Sequence, residues 1–258
     1  MILTIDVGNT NIVLGTWTDG KLNFVSRVET DREKTGDSYT VALKSILELY
    51  DVSPRTIQGA IISSVVPQIT GPMAGAVERL TGRRPLFVGP GVKTGLNIRI
   101  DNPAQLGSDI VADAVAVLNK YDMPVVFIDM GTATKICAVD KAGNFLGCAI
   151  MPGVFIGMDA LTYRTASLPQ IALDAPRSVI GANTVDSMQS GVVYGTASMI
   201  DGMIGRFEEQ LGEPATVVAT GGVSGDIVPH CRRRIIHDPD LLLEGLYRIY
   251  CRNQPSRL

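Results

Sequence analysis

Asp6-Val7-Gly8-Asn9-Thr10-Asn11 is a segment whose residue types suit phosphate chemistry. Glycine lets the backbone approach a ligand without a Cβ in the way. Asn and Thr side chains, with the amides of a turn, can donate to phosphate oxygens. Asp6 cannot meet a polyphosphate directly, because the two anions repel. It acts through a cation, most simply Mg²⁺ that keeps several of its waters. Gly, Asn and Asp are also common in plain hairpin turns, so one copy decides little. A second copy follows as Asp129-Met130-Gly131-Thr132-Ala133-Thr134. At a constant offset of 123 residues (129 − 6), Ile5 pairs with Ile128, Asp6 with Asp129, Gly8 with Gly131 and Gly20 with Gly143. Four landmarks in register are an internal duplication, and with it the phosphate reading overtakes the plain turn.

Other segments offer partners for that chemistry. Gly107-Ser108-Asp109 precedes an apolar helical pattern, and an Asp at a helix N-terminus stays ionised. Asp109 reads either as a first-turn residue or as the carboxylate that takes a proton from a hydroxyl attacking phosphorus. Asp113, one turn later, competes for that role. Pro152-Gly153-Val154-Phe155-Ile156-Gly157 follows an apolar strand and opens a helix, as a fold turn or as a loop close to a ligand. Arg164, on that helix, suits a planar carboxylate or plain solvent. Thr220-Gly221-Gly222-Val223-Ser224-Gly225 ends another apolar strand, where glycines fit either a purine lying flat on backbone or an ordinary strand-to-helix turn. No G-x-x-x-x-G-K-[ST] occurs, which disfavours a Walker-type phosphate loop.

Composition narrows the field. The chain has 258 residues, 45% hydrophobic and 19% charged, with a net charge of −3. That balance predicts a globular protein and gives no general attraction to nucleic acid or anionic membrane. Arg232-Arg233-Arg234 is read as a solvated run. No apolar stretch reaches the roughly 20 residues of a membrane span, and residues 1–15 show no basic leader, so a cytoplasmic protein is expected. Cys137, Cys148, Cys231 and Cys251 lack C-x-x-C spacing, and reduced thiols are expected. His230 and His237 lie in no motif, so the chemistry falls to carboxylates and a hard cation.

The elements that must position these residues follow from pattern. Residues 2–6 and 12–17 read as strands joined by the first Asp turn, and residues 22–28 as a third strand. Helices are predicted over 37–49, 74–80 and 102–119, and strands over 60–66 and 86–88. The pattern restarts at residue 124. An α/β fold results, with a first half over 1–119 and a second over 120–258. Two strand-turn-strand units, each with Asp closing its first strand, point to the actin-like (ribonuclease H-like) ATPase fold: two duplicated βββαβαβα-type halves around a cleft. This step is an analogy of fold.

The chain resembles the type III pantothenate kinases. The resemblance rests on Ile5 to Asn11, Ile62-Ser63-Ser64-Val65-Val66-Pro67, Gly91-Val92-Lys93-Thr94-Gly95, Asp101-Asn102-Pro103 and Asp129 to Thr134. Gly181 with Asn183-Thr184, Ser190-Gly191, and Ala219-Thr220-Gly221-Gly222 complete it. It implies ATP-dependent phosphorylation of the primary hydroxyl of pantothenate by a homodimer that needs Mg²⁺ and a monovalent cation, K⁺ or NH₄⁺. By position, Asp109 is then the catalytic base. Asp6 acts at metal-bound phosphates, and Asp129 helps hold the monovalent cation. Gly8, Asn9, Thr10, Asn11, Gly131, Thr132, Ala133 and Thr134 contact phosphates, with Gly221 and Gly222 at the adenine. Gly107, Ser108, Asp109 and Arg164 line the pantothenate pocket, and Thr184 reaches it from the partner subunit, so the second half also carries the dimer interface.

Two positions depart from the family pattern. The family reads Gly-x-Asp-Arg where this chain has Gly107-Ser108-Asp109-Ile110. Its second phosphate turn ends in Thr-Thr where this chain has Thr134-Lys135. The new ammonium stands either near the phosphates or in place of part of the monovalent-cation requirement. These departures leave two alternatives open: a non-catalytic nucleotide- or pantothenate-binding regulator, and a kinase for another hydroxylated small molecule.

Overall fold

The computed structural model describes residues 1–254. In chain order the elements are β1 (Ile2–Val7), β2 (Asn11–Thr18), β3 (Lys21–Glu29), α1 (Gly36–Leu49), β4 (Gly59–Ser64), α2 (Pro67–Thr81), β5 (Leu86–Phe87), β6 (Asn97–Ile98) and α3 (Ser108–Lys120). There follow β7 (Val125–Met130), β8 (Ala133–Val139), β9 (Asn144–Pro152), α4 (Val154–Arg164), α5 (Thr184–Leu211), β10 (Thr216–Thr220), α6 (Ser224–Ile227), β11 (Ile236–His237) and α7 (Leu241–Arg252). They form two units. The first holds Met1–Gly95, Asn102–Ala116 and residues 241–254; the second holds Leu96–Asp101 and Val117–Asp240.

The first unit is built on a sheet in the order β3-β2-β1-β4-β5, with β1 antiparallel to β2 and parallel to β4. A central strand covered on both faces needs a nearly continuous apolar run, which β1 has. Leu3, Ile5 and Val7 join Leu43 and Leu47 of α1 and Ile69, Met73 and Val77 of α2 in one core. Thr4 is satisfied locally, donating to the Gly15 carbonyl at 3.2 Å and accepting from Trp17 Nε1 at 3.1 Å. Trp17 stacks on Tyr247 of α7 with ring centroids 4.8 Å apart. Gly245 allows α7 to close on α3, since a Cβ there would lie 1.9 Å from the Ala112 carbonyl oxygen.

The second unit carries a sheet in the order β11-β10-β7-β8-β9-β6. β7 is antiparallel to β8 and parallel to β10, and all six of its residues are buried. Val126, Ile128 and Met130 share a core with Val193, Ile200 and Ile204 of α5. Helix α5 starts at the cap Asn183, which accepts from the Asp186 amide at 2.9 Å, and stops at Gly212 in the left-handed conformation.

The repeat read from sequence is present in the backbone. β1-β2-β3 and β7-β8-β9 are both antiparallel meanders, and Gly20 and Gly143 close their second turns at the same φ of 79°. Local boundaries differ in places. The helix expected over 74–80 begins at Pro67, whose missing N–H and fixed φ suit a first helical position. The helix expected over 102–119 splits into a 3₁₀ turn at Pro103–Gln105 and α3. The reduced state expected of all the cysteines holds for Cys231 and Cys251; Cys137 and Cys148 form a disulfide across β8 and β9. Among the described residues no helix is long and apolar enough to cross a membrane.

Candidate active site

The first Asp turn is held from several sides. The Gly8 amide donates to the Asn11 carbonyl at 3.0 Å, and a Cβ on Gly8 would sit 2.9 Å from that oxygen. Thr30 Oγ1 donates to the Gly8 carbonyl at 2.7 Å and the Thr30 amide to the Thr10 carbonyl at 2.9 Å. Arg32 Nη2 donates to Asn9 Oδ1 at 3.1 Å. The side chains of Asn9 and Thr10 are exposed, whereas Asp6 is buried at the end of β1. Sequence reasoning missed Thr30 and Arg32; they lie about 20 residues from the turn, and only the β2–β3 pairing returns them to it.

Asp109 is brought to the same end of the same sheet. β1 and β4 run parallel with Asp6 beside Ser63. Ser63 Oγ and Ser108 Oγ share a hydrogen bond of 2.9 Å, and the Ser64 amide donates to Ser108 Oγ at 3.2 Å. The first turn of α3, carrying Asp109, is therefore stitched to the strand neighbouring Asp6. Asp109 Oδ1 accepts from the Ile110 amide at 2.9 Å. It folds over Gly107, where a Cβ would lie 2.4 Å from it. Burial separates the two candidate bases: Asp109 is partly exposed, and Asp113 is fully buried and cannot receive a diffusing substrate. Ile110 is buried as well.

The second Asp turn lies in the other unit. Asp129 and Lys135 are directly opposite on β7 and β8, and Lys135 Nζ lies 2.6 Å from Asp129 Oδ2. The β7–β8 register sets Lys135 across from Asp129, the residue expected to help hold a monovalent cation, so a lysine ammonium meets that carboxylate. Thr134 is buried, and its Oγ1 has no hydrogen-bond partner among the described residues. Gly153 packs against the turn, where a Cβ would stand 2.2 Å from the Thr132 carbonyl oxygen and 2.6 Å from that of Gly131. Gly221, at φ 96°, abuts the Met130 backbone, with room for no Cβ. The Asp129 turn, Gly153 and the Gly221-Gly222 segment thus converge. Ala133 is half-buried at the start of β8, and Gly222 is exposed.

A cavity of about 820 Å³ opens beside this cluster, lined in part by Pro152, Gly153, Leu161, Thr184, Met188 and Val192. Thr184 begins α5 and lies in its wall. Arg164 ends α4, exposed, its guanidinium 5.7 Å from the centre of the Tyr163 ring, and is not among the lining residues.

The family model for type III pantothenate kinases matches residues 2–206. This chain belongs to that family. A type III pantothenate kinase of an Exiguobacterium species is 46% identical over 254 residues, covering 98% of this chain and all of the relative. One from Bacillus cytotoxicus is 43% identical, covering 98% of this chain and 97% of its own. Solved structures agree on the fold alone. A Campylobacter jejuni protein described as a Baf family transcriptional activator superposes with a TM-score of 0.60 at 19% identity, over 97% of this chain and 98% of that one. The activator of 2-hydroxyisocaproyl-CoA dehydratase from Clostridium difficile, with bound ADPNP, gives 0.55 at 14% identity, over 96% and 93%. The fold is that of the actin-like ATPases.

A kinase of this family uses ATP and a divalent metal. Among the described residues no group of three His, Cys, Asp or Glu could hold a metal ion. Asp6 nevertheless fits one, since a hard cation carried by phosphates and water takes only one or two carboxylates from protein. Asp129 does not fit a monovalent cation in the same way, because Lys135 already supplies a positive charge to it.

Proposed function

We propose that this protein transfers the γ-phosphoryl group of ATP to the primary hydroxyl of pantothenate, the first step toward coenzyme A, as a cytoplasmic homodimer. The observation that carries the reading is the Ser63–Ser108 bond, which joins the Asp109 helix to the strand beside Asp6. A phosphate-directed carboxylate and a partly exposed base on one sheet end are what phosphoryl transfer to a hydroxyl requires. Asp109 accepts the hydroxyl proton as the oxygen attacks the γ-phosphorus, the bond to the β-phosphate oxygen breaks, and ADP leaves. Asp6 would hold a divalent metal, which would supply neutralisation of the charge that builds on the phosphate oxygens. The amides of the two turns, at Gly8 to Asn11 and Gly131 to Thr134, donate to phosphates. Gly221 and Gly222 offer flat backbone to adenine. Gly107, Ser108 and Arg164 serve the pantothenate side, with Thr184 entering from the partner subunit. The homodimer is supported by apolar side chains left open on α4 and at the start of α5: Phe155, Ile156, Tyr163 and Val185, with Val179 and Ile180 just before α5.

A second reading, a kinase for a different hydroxylated small molecule, is favoured by Ile110, which buries an apolar side chain where the family pattern has Arg. A coupled ADP-release assay with pantothenate and a panel of hydroxy acids separates the two. Asp109→Asn is expected to lower kcat by about 10²–10⁴-fold with the KM for ATP little changed. A kcat near the wild-type value would remove Asp109 from the role of base. ATP turnover with another acceptor but not pantothenate would reject the substrate.

A further inference from the structure

The two Asp turns are repeats, yet their carboxylates face different cross-strand neighbours. Asp6 is opposite Val13, which carries no charge, whereas Asp129 is opposite Lys135. Directly opposed residues of an antiparallel pair project to the same face. Lys135 Nζ accordingly lies 2.6 Å from Asp129 Oδ2, with the two side chains only 15% and 12% exposed. In so shielded a place the pair is weakly screened. An alkylammonium carries the same charge as K⁺ or NH₄⁺ and binds the same carboxylate oxygens, and a second cation brought to that carboxylate would be repelled by the first.

We propose that Lys135 is a built-in monovalent cation. Its ammonium occupies the place at Asp129 that a soluble K⁺ or NH₄⁺ would take, so nucleotide binding in this chain requires neither ion. The inference rests on the kinase reading and extends it to the ionic requirement. It also explains why the turn tolerates a long cationic side chain in a tight corner: the charge belongs to the site, and only its covalent attachment differs.

The test uses nucleotide affinity, not turnover. Binding of a non-hydrolysable ATP analogue with Mg²⁺ is measured by calorimetry in potassium chloride and in tetramethylammonium chloride of equal ionic strength. The proteins are the wild type, Lys135→Thr, Lys135→Met and Lys135→Arg. The wild type is expected to bind equally in both salts. Lys135→Thr, which opens space beside Asp129, should weaken in tetramethylammonium by about tenfold, the order of one charge-assisted hydrogen bond, and recover in potassium. Lys135→Met fills the space without charge and should stay weak in both salts. Lys135→Arg keeps the charge and should behave as the wild type. Melting temperatures without nucleotide identify any variant that fails to fold, and the wild type alone still decides. A tenfold gain for the wild type in potassium would overturn the proposal, as would a folded Lys135→Thr protein indifferent to the salt. The expected affinity pattern without pantothenate turnover would overturn the substrate assignment and leave Lys135 in its role.

Discussion

Replacing Gly153 by alanine probes the second turn through a single atom. Gly153 has φ −68° and ψ 163°, which any residue adopts, so the substitution adds no backbone strain. Its new Cβ would lie 2.2 Å from the Thr132 carbonyl oxygen, and ordinary contact begins at 3.4 Å, so backbone must part by 1.2 Å (3.4 − 2.2). Neither neighbour is the end of a flexible side chain; the carbonyls of Gly131 and Thr132 belong to the turn itself. Overpacking of this kind costs about 1–3 kcal/mol, offset by about 0.4–1 kcal/mol from the stiffer unfolded chain. A net loss of about 1–2 kcal/mol lowers Tm by about 2–8 °C in a chain of this size. The catalytic effect is larger than the stability effect, because displacing a positioning group by about 1 Å can cost about 100-fold in rate. We expect kcat/KM for ATP to fall by that order in the coupled assay, with the melt followed by circular dichroism. Gly75→Ala, in open space within α2, is the control and should leave the rate unchanged. A Gly153→Ala protein with wild-type kcat/KM and Tm would refute the reasoning that this glycine sets the height of the second Asp turn.

Three further outcomes follow from the second unit and the cysteines. Titrated in denaturant without reductant, the chain should show the two thiols of Cys231 and Cys251, and four after reduction; four at the outset would reject the Cys137–Cys148 bond. In the folded protein at about pH 8 Cys251, which is exposed, should alkylate well before Cys231, because burial, with the Asp201 charge adding, pushes the Cys231 thiol up to about 11. Asp140 holds the β8–β9 turn. Burial works against its charge, but donation from the Asn144 side chain and amide and from the Ala142 amide prevails, and its pKa is lowered from 3.8. Its contribution to stability is then present above 3.8 and is lost as pH falls through the lower folded value. The Tm difference between wild type and Asp140→Asn should be greatest near neutrality and shrink below about pH 3.8; a constant difference would count against this account.

Local pattern carried much of the architecture. A strand closing on Asp, a Gly/Thr turn and a second strand are short-range features, and their repeat at a constant offset was readable before any contact was known. Turn chemistry was equally legible, since only a residue tolerant of positive φ suits the equivalent positions Gly20 and Gly143. Asp109 and the Gly221-Gly222 segment were readable as candidates, but not their neighbours. Whether Asp109 or Asp113 faces solvent depends on how α3 is rotated, and packing against α7 through Gly245 and Ala112 supplies that rotation.

Pairings between distant residues were decided by register. Val139 pairs with Phe145, so an unbroken ladder would set Cys137 against Gly147; a bulge between Ala138 and Val139 moves it to Cys148. One inserted residue, invisible as a pattern, thus converts two isolated thiols into a cross-strand pair. The Ser63–Ser108 bond joins residues 45 apart along the chain. The repeated turns and the acidic groups they present are legible in the residue order, because strand alternation and turn conformation act over a few residues. Which groups meet, Asp129 with Lys135 and Gly153 with the carbonyls of the second turn, emerges with the folded unit, because cross-strand register and helix docking are set by packing throughout it.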